Sequence, residues 1–233
     1  MKKSTCIPSA ILFLATAVSA SAATISWTTA NFDGDDDIVN SGVTVEAANF
    51  TGNTGNNALG GTTAIGSTVT INGVNFSAVN FSSGGSLSNL SGLTYNNGEF
   101  GHTTATTGFG AISAGLAFQS GVNPQNATLT GLIPGNDYTV QIFYYHRTVN
   151  RNVTVQDGTG SNITIVDPGN TGIGGFATGT FTADANTQTV NFAANTGSQF
   201  LNGYQLRDNT IPEPGSALLL GLGALAFLRR RAR

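Results

Sequence analysis

The sequence has one cysteine, one tryptophan and two histidines. The cysteine, Cys6, stands ahead of the apolar core of an N-terminal leader, so the chain after the leader has no thiol. A disulfide framework, a thiolate nucleophile and a cysteine-based zinc site are therefore excluded for that part of the chain.

Lysine is missing between the two ends of the chain. There, only Arg147, Arg151 and Arg207 oppose eleven acidic residues, which gives this body a net charge of −8. Proteins bind nucleic acids largely through Lys and Arg side chains that neutralise phosphates. A body this acidic repels a phosphate backbone, so we exclude nucleic acid as a partner.

Long hydrophobic runs are missing as well. The first apolar stretch, 7–18, follows Lys2 and Lys3 and precedes Ala20-Ser21-Ala22, which is the layout of a secretory signal peptide. The stretch is too short to cross a bilayer comfortably, which disfavours the alternative of a permanent N-terminal anchor. We predict a signal peptide at 1–22, with cleavage after Ala22.

Glycine is abundant, with 31 residues, and Asn, Thr and Ser are common. This composition suits short strands and turns. Asn72-Gly73 separates two alternating runs and predicts a tight hairpin, because both residues tolerate positive φ. Helical periodicity is nearly absent, so we predict one all-β body, a single β-sandwich, over 23–208. Further strands are predicted over 43–47, 127–132, 138–146, 152–156, 163–166, 179–183, 189–192 and 200–207.

Two stretches resemble known β-sandwiches. The stretch 129–140, with Pro134-Gly135 between two predicted strands, resembles the corner of fibronectin-III-like and jelly-roll sandwiches. In that corner the hydroxyl of the tyrosine, here Tyr138, bonds back to the loop backbone. The stretch 179–207 resembles the final strands of galactose-binding-like jelly rolls. These resemblances imply a jelly-roll, galactose-binding-like sandwich and carry no binding residues with them.

Alternation along the strand predicted at 138–146 divides its side chains between two faces. One face is apolar and predicts core, whereas the other combines aromatic rings with hydrogen-bonding groups. The second face is either a sugar-binding surface or a surface that lies under a long loop. The candidate sugar-binding residues are Phe143, Tyr145, Arg147 and Trp27, although a lone tryptophan beside β-branched residues more often packs in a core.

Asp33, Asp35 and Asp37 belong to the densest acidic cluster and could place alternate carboxylates around calcium. The spacing is not that of an EF-hand, because Ile38 stands where glycine is needed. The alternative is a solvated acidic turn. No cofactor other than calcium is indicated.

Catalytic patterns are weak. His102 and His146 have no metal-type spacing, and we interpret His146 as a structural residue. Glu46 or Glu99 could serve a secreted hydrolase only if the fold brought a second acid close to it. We therefore expect no enzyme activity.

The C-terminus combines Pro212-Glu213-Pro214, an apolar run over 217–228 and Arg229-Arg230-Arg231, in that order. As a helix the run would be about 18 Å long, against about 30 Å for the hydrocarbon core of a bilayer. The arginines would stay on the cytoplasmic side of a membrane. An ordinary C-terminal tail anchor is the alternative interpretation.

Together these elements resemble the PEP-CTERM sorting signal of Gram-negative bacteria, over 209–233. The resemblance implies that Pro212, Glu213 and Pro214 are recognised by exosortase, a membrane sorting enzyme. It also implies that 217–228 inserts transiently as a short transmembrane helix and that Arg229, Arg230 and Arg231 stop its transfer. Proteins with such tails are common in species that make extracellular polysaccharide and biofilm.

The sequence therefore predicts a secreted protein that reaches the outer cell surface or extracellular matrix after transient anchoring in the inner membrane. We expect a structural or adhesive role, with exosortase as a partner and extracellular polysaccharide as a candidate partner. The alternatives are a dedicated carbohydrate-binding module and, less favoured, a secreted hydrolase.

Overall fold

The structure is a computed structural model that describes residues 22–51, 68–95, 97–100, 108–119, 124–146, 151–166, 174–195 and 197–210. The described residues are mostly β, with 55% strand and 6% helix, which confirms the all-β prediction. The strands are β1 (Ser26–Asn31), β2 (Val43–Phe50), β3 (Val69–Ile71), β4 (Val74–Val79), β5 (Leu90–Ser91), β6 (Asn97–Phe100), β7 (Gly115–Gln119), β8 (Gln125–Thr130), β9 (Asp137–Tyr144), β10 (Asn152–Gln156), β11 (Asn162–Val166), β12 (Gly175–Thr182), β13 (Thr187–Ala194), β14 (Gln199–Leu201) and β15 (Gly203–Asp208). A short helix, α1 (Phe109–Ser113), precedes β7, and 3₁₀ turns occupy Asp35–Asp37 and Phe81–Ser83.

The strands form three sheets. The largest has seven strands in the order β1-β12-β9-β15-β2-β4-β3, and a second has five strands in the order β11-β10-β13-β8-β5. Alternate side chains of both sheets, such as Val140, Leu206, Leu129 and Val190, meet in one apolar cluster, which we call the main core. A three-stranded sheet, β14-β7-β6, contacts strands of both larger sheets.

The predicted hairpin is confirmed. Asn72 and Gly73 both have positive φ, 46° and 77°, and connect the antiparallel strands β3 and β4. Each of the other predicted strands overlaps an observed one, but the last is interrupted at Asn202. There the buried Asn202 side chain accepts from Tyr145 N at 2.6 Å and donates to Gly115 O at 2.7 Å, where the chain passes from one sheet to another. β1, β5, β6 and β7 were not predicted.

The tyrosine corner is also confirmed. The Tyr138 hydroxyl accepts a hydrogen bond from Ile133 N at 2.9 Å, across the turn that contains Gly135 at φ 89°. The ring itself is 2% exposed and stacks on Phe181 at 5.6 Å between ring centroids. The corner therefore joins β8 to β9 and carries the chain from the five-stranded sheet to the seven-stranded sheet.

The seven-stranded sheet is covered on its other face too. There a second apolar cluster, the second core, contains Phe143 and Phe176 of the sheet and Phe32 and Ile38 of the segment after β1. Phe76 of β4 contacts Phe143 at 5.7 Å between ring centroids, although β15 and β2 lie between their strands in the sheet order. The β3-β4 hairpin therefore curls over this face.

Three buried polar side chains hold the segment 37–44 on this second face. Gln141 accepts from Val39 N at 2.9 Å and donates to Asp37 O at 2.9 Å, and Gln205 donates to Val39 O at 3.0 Å. Arg207, 3% exposed, donates to Ser41 O and to the carbonyls of Asn40 and Gly42 at 2.5–2.8 Å. The pairing satisfies groups that would otherwise be buried without partners.

Within the described residues, no helix is long and apolar enough to cross a membrane. The apolar stretch of the predicted signal peptide and the predicted C-terminal helix, 217–228, both lie outside these residues.

We expect Tyr138→Phe to lower the free energy of unfolding by about 1 kcal/mol, because it deletes the hydroxyl that bonds to Ile133 N. Tyr95→Phe is the matched control, since the buried Tyr95 hydroxyl has no hydrogen-bond partner among the described residues. Its removal should leave stability unchanged or raise it. Urea unfolding measures both, and equal losses in the two variants would contradict the role of the corner.

Candidate functional site

Two of the predicted sugar-binding residues, Phe143 and Tyr145, are not at the surface. Phe143 is fully buried and Tyr145 is 2% exposed, so neither ring can stack on a sugar at the surface. Trp27 is half-buried on the opposite side of the sheet, where its ring packs on Gly179 against the main core. Arg147 lies outside the described residues. The alternative, a strand face covered by a loop, describes Phe143 correctly, because the segment 32–42 and the β3-β4 hairpin bury it.

The predicted calcium ligands do not converge. The Asp37 carboxylate accepts hydrogen bonds from Asp33 N at 2.7 Å and Gly34 N at 3.1 Å, so it closes its own 3₁₀ turn. The Asp35 carboxylate lies against Gly108 instead. No group of three or more metal-ligating side chains is found within the described ranges.

The residues considered for catalysis have structural contacts. The His146 ring lies 4.7 Å from the Phe200 ring between centroids. The Glu46 carboxylate accepts hydrogen bonds from Ser88 N at 2.7 Å and Asn89 N at 2.9 Å, and also from the Tyr204 hydroxyl. Glu46 therefore ties β2 to the segment before β5. His102 and the side chain of Glu99 lie outside what the structure describes.

The outward face of the five-stranded sheet is a surface that the sequence analysis missed. We call its polar residues the outer polar face. Apart from the exposed Val166 and the half-buried Ala193, the residues on this side of the sheet are neutral hydroxyls and amides at exposed or half-buried positions. Its members are Ser91, Asn126, Thr128, Thr130, Asn152, Thr154, Gln156, Asn162, Thr164, Thr187, Thr189 and Asn191.

The strand register arranges this face in rows of like chemistry. Asn162, Gln156, Asn191 and Asn126 stand opposite one another on β11, β10, β13 and β8, which makes an amide row across four strands. A parallel hydroxyl row contains Ser91, Thr128 and Thr189. Neighbouring members of a row are about 5 Å apart, the spacing of paired strands.

A sequence signal for this face was present. Asn-x-Thr occurs at Asn126, Asn152 and Asn162, and in each case the Asn and the Thr both point outward from a strand of the five-stranded sheet. The motif arises here because side chains two residues apart on a strand point to the same face, and that face is polar.

Both ends of the described body lie at the same end of the seven-stranded sheet. Ser26 stands opposite Thr180, Thr180 opposite Thr139, and Thr139 opposite Arg207. β1 starts at this row and β15 ends one residue beyond it. The two ends are three strand spacings apart, about 14 Å. The segments before β1 and after β15 therefore leave the body side by side.

At the N-terminal junction the buried Asp157 holds the start of the body. Its carboxylate accepts hydrogen bonds from Ile25 N at 2.7 Å, Thr159 N at 2.8 Å and Ser161 N at 3.1 Å. Burial by itself raises the pKa of Asp157, but these hydrogen bonds outweigh burial and lower the pKa below its ordinary value. The junction is thus fixed within a few residues of Ala22.

At the C-terminal junction the chain stays hydrogen-bonded beyond β15. Asn209 N donates to Asp137 O at 2.8 Å, and Asn209 Nδ2 donates to Thr139 Oγ1 at 2.7 Å. Thr210 N donates to Asp208 Oδ1 at 2.9 Å, and the Thr210 hydroxyl accepts from Asp137 N. Pro212, Glu213, Pro214 and the arginine cluster follow, outside the described residues.

The chain thus combines a folded all-β body with a C-terminal segment that follows it directly, which is the arrangement of a protein with a C-terminal sorting signal. The family model of the PEP-CTERM protein-sorting motif matches residues 210–232. The chain is therefore a PEP-CTERM sorting domain-containing protein, which is exported through exosortase sorting to the cell surface or extracellular space. None of the curated proteins compared with the chain matches it.

We expect Asp157→Asn to reduce stability near neutral pH and to flatten its pH dependence. Because the folded-state pKa is lowered, the carboxylate stabilises the body above the ordinary Asp pKa of about 4. That stabilisation is lost as pH falls through the folded-state pKa. Urea unfolding between about pH 7 and pH 2 measures the loss. Asp184→Asn, at an exposed turn, is the control and should keep the wild-type profile; a wild-type profile for Asp157→Asn would contradict this role.

Proposed function

We propose that this protein is a non-catalytic structural or adhesive component of the cell surface or extracellular matrix. Exosortase recognises Pro212-Glu213-Pro214 while 217–228 is transiently anchored in the inner membrane, and then separates the body from the tail. The observation that carries this proposal is the sorting motif at 210–232, joined without a spacer to a hydrogen-bonded β body.

We infer that the body is a jelly roll. β2, β15, β9 and β12 are neighbours in one sheet, and β8, β13, β10 and β11 are neighbours in the other. In chain order the eight strands move between the two sheets in the sequence expected of two interleaved Greek keys. This order supports the galactose-binding-like resemblance at the level of fold only.

We further propose that the outer polar face contacts neutral polysaccharide. Its rows of amides and hydroxyls offer both donors and acceptors, which suit sugar hydroxyl groups. No member of the face is charged, whereas the net charge of the body, −8, disfavours anionic polymers. The partner that we propose for this surface is therefore an uncharged extracellular polysaccharide.

The sorting proposal predicts that the wild-type protein reaches the cell surface or matrix without its tail. A variant with Pro212, Glu213 and Pro214 all changed to Ala should keep its full mass and stay in the membrane. Cell fractionation with intact mass measurement tests both, and Ile211, Gly215 and Ser216 changed to Ala serve as the flanking control. If every form keeps its tail in the membrane, the C-terminus is an ordinary anchor.

The polysaccharide proposal predicts that the Gln156→Ala, Asn191→Ala double variant binds the neutral extracellular polysaccharide of the host about tenfold more weakly, because two amide contacts are lost. Co-sedimentation of the processed protein with that polysaccharide measures the affinity. The control pair, Asn31→Ala with Asn75→Ala, removes exposed amides from the other sheet and should bind normally. Equal binding by both pairs would exclude the outer polar face.

A further inference from the structure

The last described residue of the body is also the first residue of the sorting motif. The family match begins at Thr210, whose hydroxyl and backbone N–H are both engaged with the body. Asn209 adds two hydrogen bonds to β9, through Asp137 O and Thr139 Oγ1. The motif therefore starts at a residue that lies beyond the end of β15 but is still hydrogen-bonded to β9.

These hydrogen bonds limit how far Pro212-Glu213-Pro214 can extend from the body. Pro212 follows Thr210 by two residues, which span at most about 7 Å even when fully extended. The body has a radius of gyration of about 16 Å, as expected for a single domain of this length. While Thr210 stays docked, the bulk of the body remains next to any enzyme that binds Pro212-Glu213-Pro214.

Releasing the junction costs little compared with opening the body. Asn209 and Thr210 are both exposed, so their release breaks hydrogen bonds but uncovers no apolar core. Asp208, by contrast, is 4% exposed and is held from the other side by Asn136 Nδ2 at 2.8 Å. Opening would therefore stop at Asp208, at the end of β15.

We propose that Asn209 and Thr210 form a latch, which restrains processing by exosortase while both residues are hydrogen-bonded to β9. Processing proceeds from the open state, in which these two residues have left Asp137 and Thr139, so that two more residues of free chain separate the body from Pro212. If opening and closing are fast, the processing rate follows the fraction of open molecules. This inference rests on the proposed exosortase processing.

The test compares two variants of the full chain in its host. Thr210→Val keeps the shape of the side chain but removes the oxygen that accepts from Asp137 N, whereas Thr210→Ser retains that oxygen. Pulse-labelling followed by intact mass gives the rate at which the tail is lost. We expect Thr210→Val to be processed about two- to tenfold faster than the wild type, the effect of one lost hydrogen bond, and Thr210→Ser to match the wild type.

A flexible Gly-Ser insertion between Thr210 and Ile211 distinguishes positioning from general stability. The insertion lengthens the chain between the body and Pro212 without opening the latch. The wild type and the Thr210→Val variant, each carrying the insertion, should therefore be processed at equal rates, higher than the rate of the wild type without it. A Thr210→Val rate that is unchanged or lower than the wild-type rate would overturn the latch alone. Absence of processing in the wild type, or normal processing of the variant with Ala at 212–214, would overturn both the latch and the proposed function.

Discussion

The buried hydrogen-bond network of Gln141, Gln205 and Arg207 decides how the rest of the body is arranged. These side chains project from the middle of the seven-stranded sheet, where an unpaired polar group would cost about 1–3 kcal/mol each. The carbonyls and N–H groups of the segment 37–42 supply the partners. Burial lowers the pKa of Arg207, whose charge is met by carbonyl dipoles. The segment must therefore lie on the sheet, and it brings Ile38 into the second core.

One consequence is that the two large sheets have different exposures. The central strands of the seven-stranded sheet are covered on both faces, and their buried polar residues Gln141, Gln205 and Arg207 are used for internal pairing. Among the described residues, the main core covers one face of the five-stranded sheet. The other face carries hydroxyls and amides, several of which are hydrogen-bonded to neighbouring residues. Residues of the same types, Gln and Thr, thus hold a neighbouring segment in place on one sheet and form a partly exposed polar surface on the other.

Another consequence concerns the ends of the body. Arg207 fixes the end of β15 against the segment 40–42, and Asp157 fixes Ile25 at the start of β1. Because the register places both ends on one row of the sheet, the two ends of the body face the same way.

The sequence by itself determined the features that depend on neighbours in the chain. Asn72-Gly73 requires only two positive φ angles, the Tyr138 corner spans six residues, and the sorting motif is a linear pattern of 23 residues at 210–232. Strands with apolar alternation were also predictable, whereas β1, a polar edge strand paired only with β12, gave no such pattern.

Tertiary structure decided everything that depends on residues far apart in the chain. Phe143 is core because a segment about a hundred residues earlier folds over it, and the amide row exists because four separate strands align. Alternation shows that a strand has two faces, but not what covers each face. Coverage depends on pairing between distant segments, and that pairing is set by the whole set of buried groups that must be satisfied at once.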